Sequence, residues 1–246
     1  RRQRQMCIRD SLNTIIKYPV ASTKIHPESG DIREKKMGYY YADRELFEDI
    51  VSETGAGNHR HPLTFILEAA DDIAYKTADI EDAFVKRFLT YHSLRDELRK
   101  LQNREKKYAD PEEKDQNWFC PADKLVELYD RAKKNGVDDP GDYAVKNWII
   151  SVQGFVLNCV TYGFTSNYEA IMAGTFGQDL FYGTFAEKLM NLLGDLAYRK
   201  VFSSRQIYKM ELAEYTILDF LMNRLVSSVL YYNLSLIHIS EPTRQE

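Results

Sequence analysis

Asp71, Tyr75 and Asp79 stand at i, i+4 and i+8 in the stretch PLTFILEAADDIAYKTADIEDAF, residues 62–84. The stretch reads as one helix. A helix turns about 100° per residue, so each step of four drifts by only about 40° and all three side chains project from one face. Two carboxylates and a phenol on one stripe can hold a cation, stack on a sugar ring and accept a hydrogen bond from a hydroxyl. The plainer reading of the same spacing is a solvated acidic face. The rest of the stretch must position these groups. Pro62 suits the first helical turn. Phe65, Ile66, Ala69 and Ile73 are expected to form the buried stripe, and Ala70, Ala74 and Ala78 to admit a neighbouring helix closely.

The segment EAADDIAYKTADIEDA resembles a helix of the deoxynucleoside triphosphate triphosphohydrolases, the dGTPase family of the HD superfamily. The resemblance implies that Asp71 is a ligand of a divalent metal (Mg, Mn or Co), that Tyr75 packs on the deoxyribose and that Asp79 binds the sugar 3′-hydroxyl. Other segments carry it in the same order. Lys17-Tyr18-Pro19 resembles a family position that contacts the substrate phosphates. Lys35-Lys36-Met37-Gly38-Tyr39 resembles a Lys-Lys-x-Gly-Tyr segment whose second lysine, here Lys36, reaches the phosphates. An ammonium is a suitable point-charge partner for polyphosphate. NYEAIMAGTF followed by YRKVFSSRQIYKMELAEY resembles the family's later region. There the resemblance implies that Phe202 packs on the purine and that Glu211 accepts hydrogen bonds from guanine N1–H and N2–H₂. A carboxylate accepts where guanine donates, and adenine lacks that edge. Taken singly, Lys17 also reads as a helix-terminal lysine, Lys35 and Lys36 as surface lysines, Phe202 as a core aromatic and Glu211 as an exposed helix residue. The resemblance runs from Lys17 to about Leu225.

One departure bears on chemistry. The family builds its metal site from a His, an adjacent His-Asp pair and the Asp matched by Asp71, and this sequence contains no His-Asp dipeptide. In the family those ligands lie upstream of the Lys-Tyr-Pro position. One carboxylate does not hold a catalytic metal alone. The chain as given is therefore expected to be inactive and to contain no catalytic residue. His59 and His61, two apart in a loop, are weak evidence for a metal.

The ends are expected to have a different origin from the rest. The DNA string ATGTGTATAAGAGACAG encodes Met6 to Asp10 and begins Ser11, and its reverse complement encodes Leu234 to His238 and begins Ile239. Residues 1–11 and 234–246 are accordingly expected to be translated sequencing adapter, leaving 12–233 as part of one HD-type catalytic domain of a longer protein. The ends carry charges of +3 and −1, so the chain's −4 becomes −6 for residues 12–233. An acidic balance argues against non-specific nucleic-acid binding as the main task. Cys120 and Cys159 provide neither zinc spacing nor a disulfide framework, which fits a reducing cytosol. The apolar run Trp148–Phe164 carries Gln153 and Asn158 and is too short and polar for a membrane span.

The remaining pattern is helical throughout, with no strand alternation, internal repeat or Gly-rich phosphate loop. Helices are expected over residues 43–51, capped by Asp43, and over 92–106, 122–135 and 144–162. Others are expected over 168–176 and 185–202, opened by Ser166-x-x-Glu169 and Thr184-x-x-Glu187 capping boxes, and over 206–232. Residues 107–121 read as a polar surface excursion. The fold expected is all-α, an HD-domain-type helical bundle lacking its His…His-Asp part. The resemblance implies hydrolysis of dGTP to deoxyguanosine and triphosphate by the full-length parent, a homo-oligomer, and a nucleotide or single-stranded DNA effector. A broader dNTP triphosphohydrolase and a non-catalytic helical binding module remain open.

Overall fold

The computed structural model describes residues 2–106, 119–203 and 205–231. Among these residues the secondary structure is helical, with no strand, as the sequence predicts. The chain divides into two compact units, residues 1–197 and 198–246.

The first unit is built on two long helices, α3 (Pro62–Val85) and α6 (Pro140–Ser166). Proline stands at the start of each, where its missing N–H costs nothing. Asp139 caps α6 by accepting from the Asp142 amide, and the His61 ring caps α3 by accepting from the Leu63 amide. Along α6, Ala144, Trp148, Val152, Val156 and Val160 recur every four residues and are buried. Along α3 the buried stripe is Phe65, Ala69, Ile73, Thr77 and Ile80.

The two helices pack together, and Gln153 of α6 donates to the Thr77 hydroxyl of α3 at 2.9 Å. This link satisfies a polar pair inside an apolar contact. Around them stand α1 (Arg2–Thr14), α2 (Arg44–Thr54), α4 (Tyr91–Lys106), α5 (Pro121–Lys134), the short α7 (Tyr168–Met172) and α8 (Phe185–Ala197). α5 packs on α4 and α6, while α3 packs on α8 and α1. Trp148 is fully buried among these helices, and its indole N–H donates to the Pro121 carbonyl at 2.8 Å.

The second unit opens with a π-helical turn over Tyr198–Phe202 and continues in α9 (Arg205–Leu230).

Several local expectations change. Ile66 is 41 % exposed, one position off the stripe carried by Phe65 and Ala69. Ala70, Ala74 and Ala78 are exposed rather than packed under a neighbour, because the helix buries its opposite side. Asp43 makes no side-chain cap. α6 runs on to Ser166, so that residue opens nothing, and α7 starts after Asn167 without a side-chain cap. α7 stops at Met172, and Gly174 then takes a left-handed φ of 71°. Glu187 accepts from the Gly183 amide rather than from Thr184, whose hydroxyl donates to the Phe181 carbonyl. α8 ends at Ala197, where the backbone widens into the π turn. α1, Arg2–Thr14, runs without a break across the expected boundary at residue 11. Residues 107–118 and 234–246 lie outside the described residues.

Candidate functional site

α3 carries Asp71, Tyr75 and Asp79 along one side, with about 6 Å of helix rise between successive groups. What approaches this side is the segment after α1. Lys17 Nζ donates to Asp71 Oδ2 at 2.6 Å. The hydrogen bond to the Asp71 carboxylate raises the Lys17 ammonium above its ordinary pKa, in spite of partial burial. Two of the charged residues singled out in the sequence, Lys17 and Asp71, are therefore in direct contact.

The segment is held from behind by Arg60. Its Nε donates to the Lys17 carbonyl at 2.6 Å, and its Nη1 lies 2.6 Å from Glu68 Oε2. The Arg60 side chain is fully buried, with its guanidinium 5.8 Å from the Tyr18 ring centroid and 5.2 Å from that of Phe65. The Nη1–Oε2 approach is an ion pair without hydrogen-bond alignment, and Nη2 has no hydrogen-bond partner among the described residues. Burial pushes the Tyr18 phenol above its usual pKa, and the Glu68 charge adds to the shift.

α1 is fastened to the start of α3 and to the end of α2 as well. The Thr64 hydroxyl donates to the Thr14 carbonyl at 2.9 Å, and Asn13 donates to the Thr54 hydroxyl at 2.6 Å. These bonds fix where α1 ends and hence where Lys17 begins its reach.

The Lys35–Tyr39 segment joins the same corner. The Gly38 amide donates to the Val20 carbonyl at 3.0 Å. A Cβ at Gly38 would overlap the Tyr18 carbonyl oxygen, so only glycine permits this approach. Lys36, two residues before that contact, is exposed. Tyr75 is 67 % exposed. Asp79 is partly buried, and that burial, followed by the charge of Asp82, moves its carboxyl above the usual carboxylate range.

The two loop histidines serve the scaffold separately. His61 caps α3, and its Nδ1 also lies 3.3 Å from the Thr14 hydroxyl. His59 Nδ1 lies 3.1 Å from Arg33 Nη1, and its ring fills the space that a side chain at Gly174 would need.

The divalent metal implied by the resemblance does not fit these residues on their own. Among the described residues no three His, Cys, Asp or Glu side chains cluster in a way that could hold an ion. Asp71 instead faces an ammonium.

Phe202 and Glu211 belong to the second unit. Phe202 ends the π turn, which the Ser203 amide closes by donating to the Tyr198 carbonyl, and Glu211 lies in the second turn of α9.

Arg60, Glu68 and Gly38 were not identified from sequence. Glu68 was legible, since it lies three residues before Asp71 on the same face of α3. Gly38 was signalled by its place between the lysine pair and Tyr39. Arg60 had no signal: an arginine two residues ahead of a helix ordinarily reads as solvent-facing.

No protein-family model matches the chain. Individual proteins do. A deoxyguanosinetriphosphate triphosphohydrolase-like protein of Listeria monocytogenes is 34 % identical over 224 residues, covering 91 % of this chain and 45 % of the relative. A deoxyguanosinetriphosphate triphosphohydrolase of Yersinia enterocolitica is 27 % identical over 206 residues, covering 80 % of this chain and 38 % of the relative. A probable deoxyguanosinetriphosphate triphosphohydrolase of Pseudomonas aeruginosa is 27 % identical over 197 residues, covering 77 % and 38 %. The chain spans about half the length, or less, of these curated relatives. Among the described residues no helix is long and apolar enough to cross a membrane. Over most of its own length, the chain is similar to proteins named as deoxyguanosinetriphosphate triphosphohydrolases.

Proposed function

We propose that this chain is the substrate-holding part of a dGTP triphosphohydrolase, an enzyme that splits dGTP into deoxyguanosine and inorganic triphosphate. The observation that carries the reading is the meeting of Lys17 with Asp71 at the head of the stripe that continues to Tyr75 and Asp79. A cation at one end and a phenol and carboxylate further along match a ligand that is anionic at one end and a sugar at the other. In this reading Lys17, Tyr18 and Lys36 face the phosphates, and their charge offsets that of a triphosphate leaving group. Tyr75 packs on the deoxyribose, its closeness to the 2′ carbon disfavouring ribonucleotides, and Asp79 accepts from the 3′-hydroxyl. Phe202 and Glu211 serve the guanine base.

Asp71 is proposed as one ligand of a divalent cation (Mg, Mn or Co) in the complete protein. The described residues supply no complete ligand set, and the chain alone is proposed to bind nucleotide without hydrolysing it. Two further readings are kept: a broader dNTP specificity, and a non-catalytic binding module. The pairing of Asp71 with an ammonium favours the latter for the chain as it stands. Homo-oligomerisation and a nucleotide or single-stranded DNA effector belong to the proposal for the complete protein.

Calorimetric titration of the chain with dGTP and with GTP tests the reading. Binding of dGTP is expected to exceed that of GTP and to weaken about tenfold in Lys17→Met and in Asp79→Asn. Equal binding of dGTP and GTP, unaffected by either substitution, would overturn it.

A further inference from the structure

Arg60 is the one buried side chain at this corner with a full charge and an unspent donor among the described residues. Burying a guanidinium is costly, and a fold keeps one where its geometry does something a hydrophobic residue cannot. Arg60 joins the segment after α1 to α3. Its Nε holds the carbonyl of Lys17 at 2.6 Å, and its Nη1 pairs with Glu68 at 2.6 Å. Glu68 is three residues before Asp71 on α3, one helical turn away. The guanidinium is also flanked by the Tyr18 and Phe65 rings, one from the loop and one from α3. The Lys17 main chain is thus anchored to α3 a single turn from the carboxylate that its ammonium reaches. A lysine side chain has many rotamers, and fixing its backbone is what confines the ammonium to the Asp71 edge.

We propose that Arg60 is a positioning residue for the triphosphate site: by clasping the Lys17 carbonyl and Glu68, it presents the Lys17 ammonium beside Asp71 without touching the phosphates itself. This rests on the reading of Lys17 as a phosphate contact. Arg60 therefore sets affinity for the triphosphate moiety only through Lys17. A lysine at position 60 would keep the charge but lose the planar fork that donates to the Lys17 carbonyl through Nε while pairing with Glu68 through Nη1. Glu68→Gln keeps the shape and removes the charge that anchors the fork.

The test uses the intact chain, with inorganic triphosphate as the probe and acetylation of lysines, mapped by mass spectrometry, as a second readout. In the parent chain Lys17 is expected to acetylate more slowly than exposed Lys36. Arg60→Met is expected to speed Lys17 acetylation severalfold while leaving Lys36 unchanged, and to weaken triphosphate binding about tenfold. In a Lys17→Met background the same substitution is expected to change binding by less than twofold. Arg60→Lys is expected to resemble Arg60→Met rather than restore binding. A folded Arg60→Met chain with Lys17 acetylation and triphosphate affinity within twofold of the parent would overturn the proposal. So would an equal loss of binding in the Lys17→Met background. Should Arg60→Met fail to fold, Lys17 acetylation in Glu68→Gln decides: faster supports the clasp, unchanged overturns it. If the parent chain shows no triphosphate binding but Lys17 responds to Arg60 as expected, the positioning role stands and the phosphate reading of Lys17 falls.

Discussion

Lys17 Nζ and Asp71 Oδ2 stand 2.6 Å apart although 54 positions separate them in the chain. The contact joins the segment after α1 to the middle of α3 and makes a lysine and an aspartate one functional unit.

The pairing predicts how Lys17 titrates. Its ammonium is raised above 10.5 chiefly by the hydrogen bond to Asp71. A lysine whose folded pKa is raised contributes stability that is fully present below its unfolded value. That contribution is lost as pH climbs through the folded value. NMR titration should therefore place the Lys17 midpoint above 10.5, and Asp71→Asn should bring it down. A midpoint insensitive to Asp71→Asn would mean that the pair is not formed.

Gly38→Ala tests the join between the two lysine segments. A methyl group there would overlap the Tyr18 carbonyl oxygen, which is backbone and cannot rotate away. The cost expected is about 1–3 kcal/mol, as for other forced overpacking. Hydrogen exchange should show loss of protection at the Gly38 amide, which donates to Val20. An unchanged denaturation midpoint would contradict the close approach.

Asp31 offers a test in acid. Its carboxylate accepts from the Arg33 guanidinium at three points, between 2.6 and 3.0 Å, and from the Arg33 amide at 2.9 Å, and the guanidinium also donates to the Gly174 carbonyl at 3.1 Å. The Arg33 hydrogen bonds hold Asp31 below 3.8. A depressed carboxyl contributes stability that is present above the unfolded value and lost as pH falls through the folded one. Denaturation midpoints of the parent chain and Asp31→Asn should therefore differ at pH 6 and converge well below pH 3.8.

The packing of α3 against its neighbours sets the frame for the site. Ile80 is fully buried on the side of α3 away from Tyr75. Ile80→Ala should destabilise the chain by about 2–5 kcal/mol in urea denaturation. Because the side chain is buried on a different side of α3 from the Asp71–Tyr75–Asp79 stripe, the folded variant should keep the parent's affinity for dGTP.

The legible parts of the fold were those written in period and punctuation. α3 begins at Pro62 as expected and ends within one residue of its expected end, because its apolar positions recur at helical spacing. α6 begins four residues before its expected start: Pro140-Gly141 looks like a turn, yet Asp139 caps it as a helix start. The Asp71 stripe was readable because it lies within one element. Arg60 was not, because its role depends on a carbonyl 43 positions away and on two rings from different elements. The burial of Phe65 with exposure of Ile66 was likewise decided by which neighbours α3 meets, which composition does not encode.

The most direct measurement is phosphorus NMR of dGTP incubated with the complete protein that carries this segment, with manganese present, beside its Asp71→Ala variant. The expected result is release of inorganic triphosphate by the parent and a loss of turnover of about a hundredfold or more in the variant. Undiminished turnover in Asp71→Ala, or release of single phosphate in place of triphosphate, would contradict it.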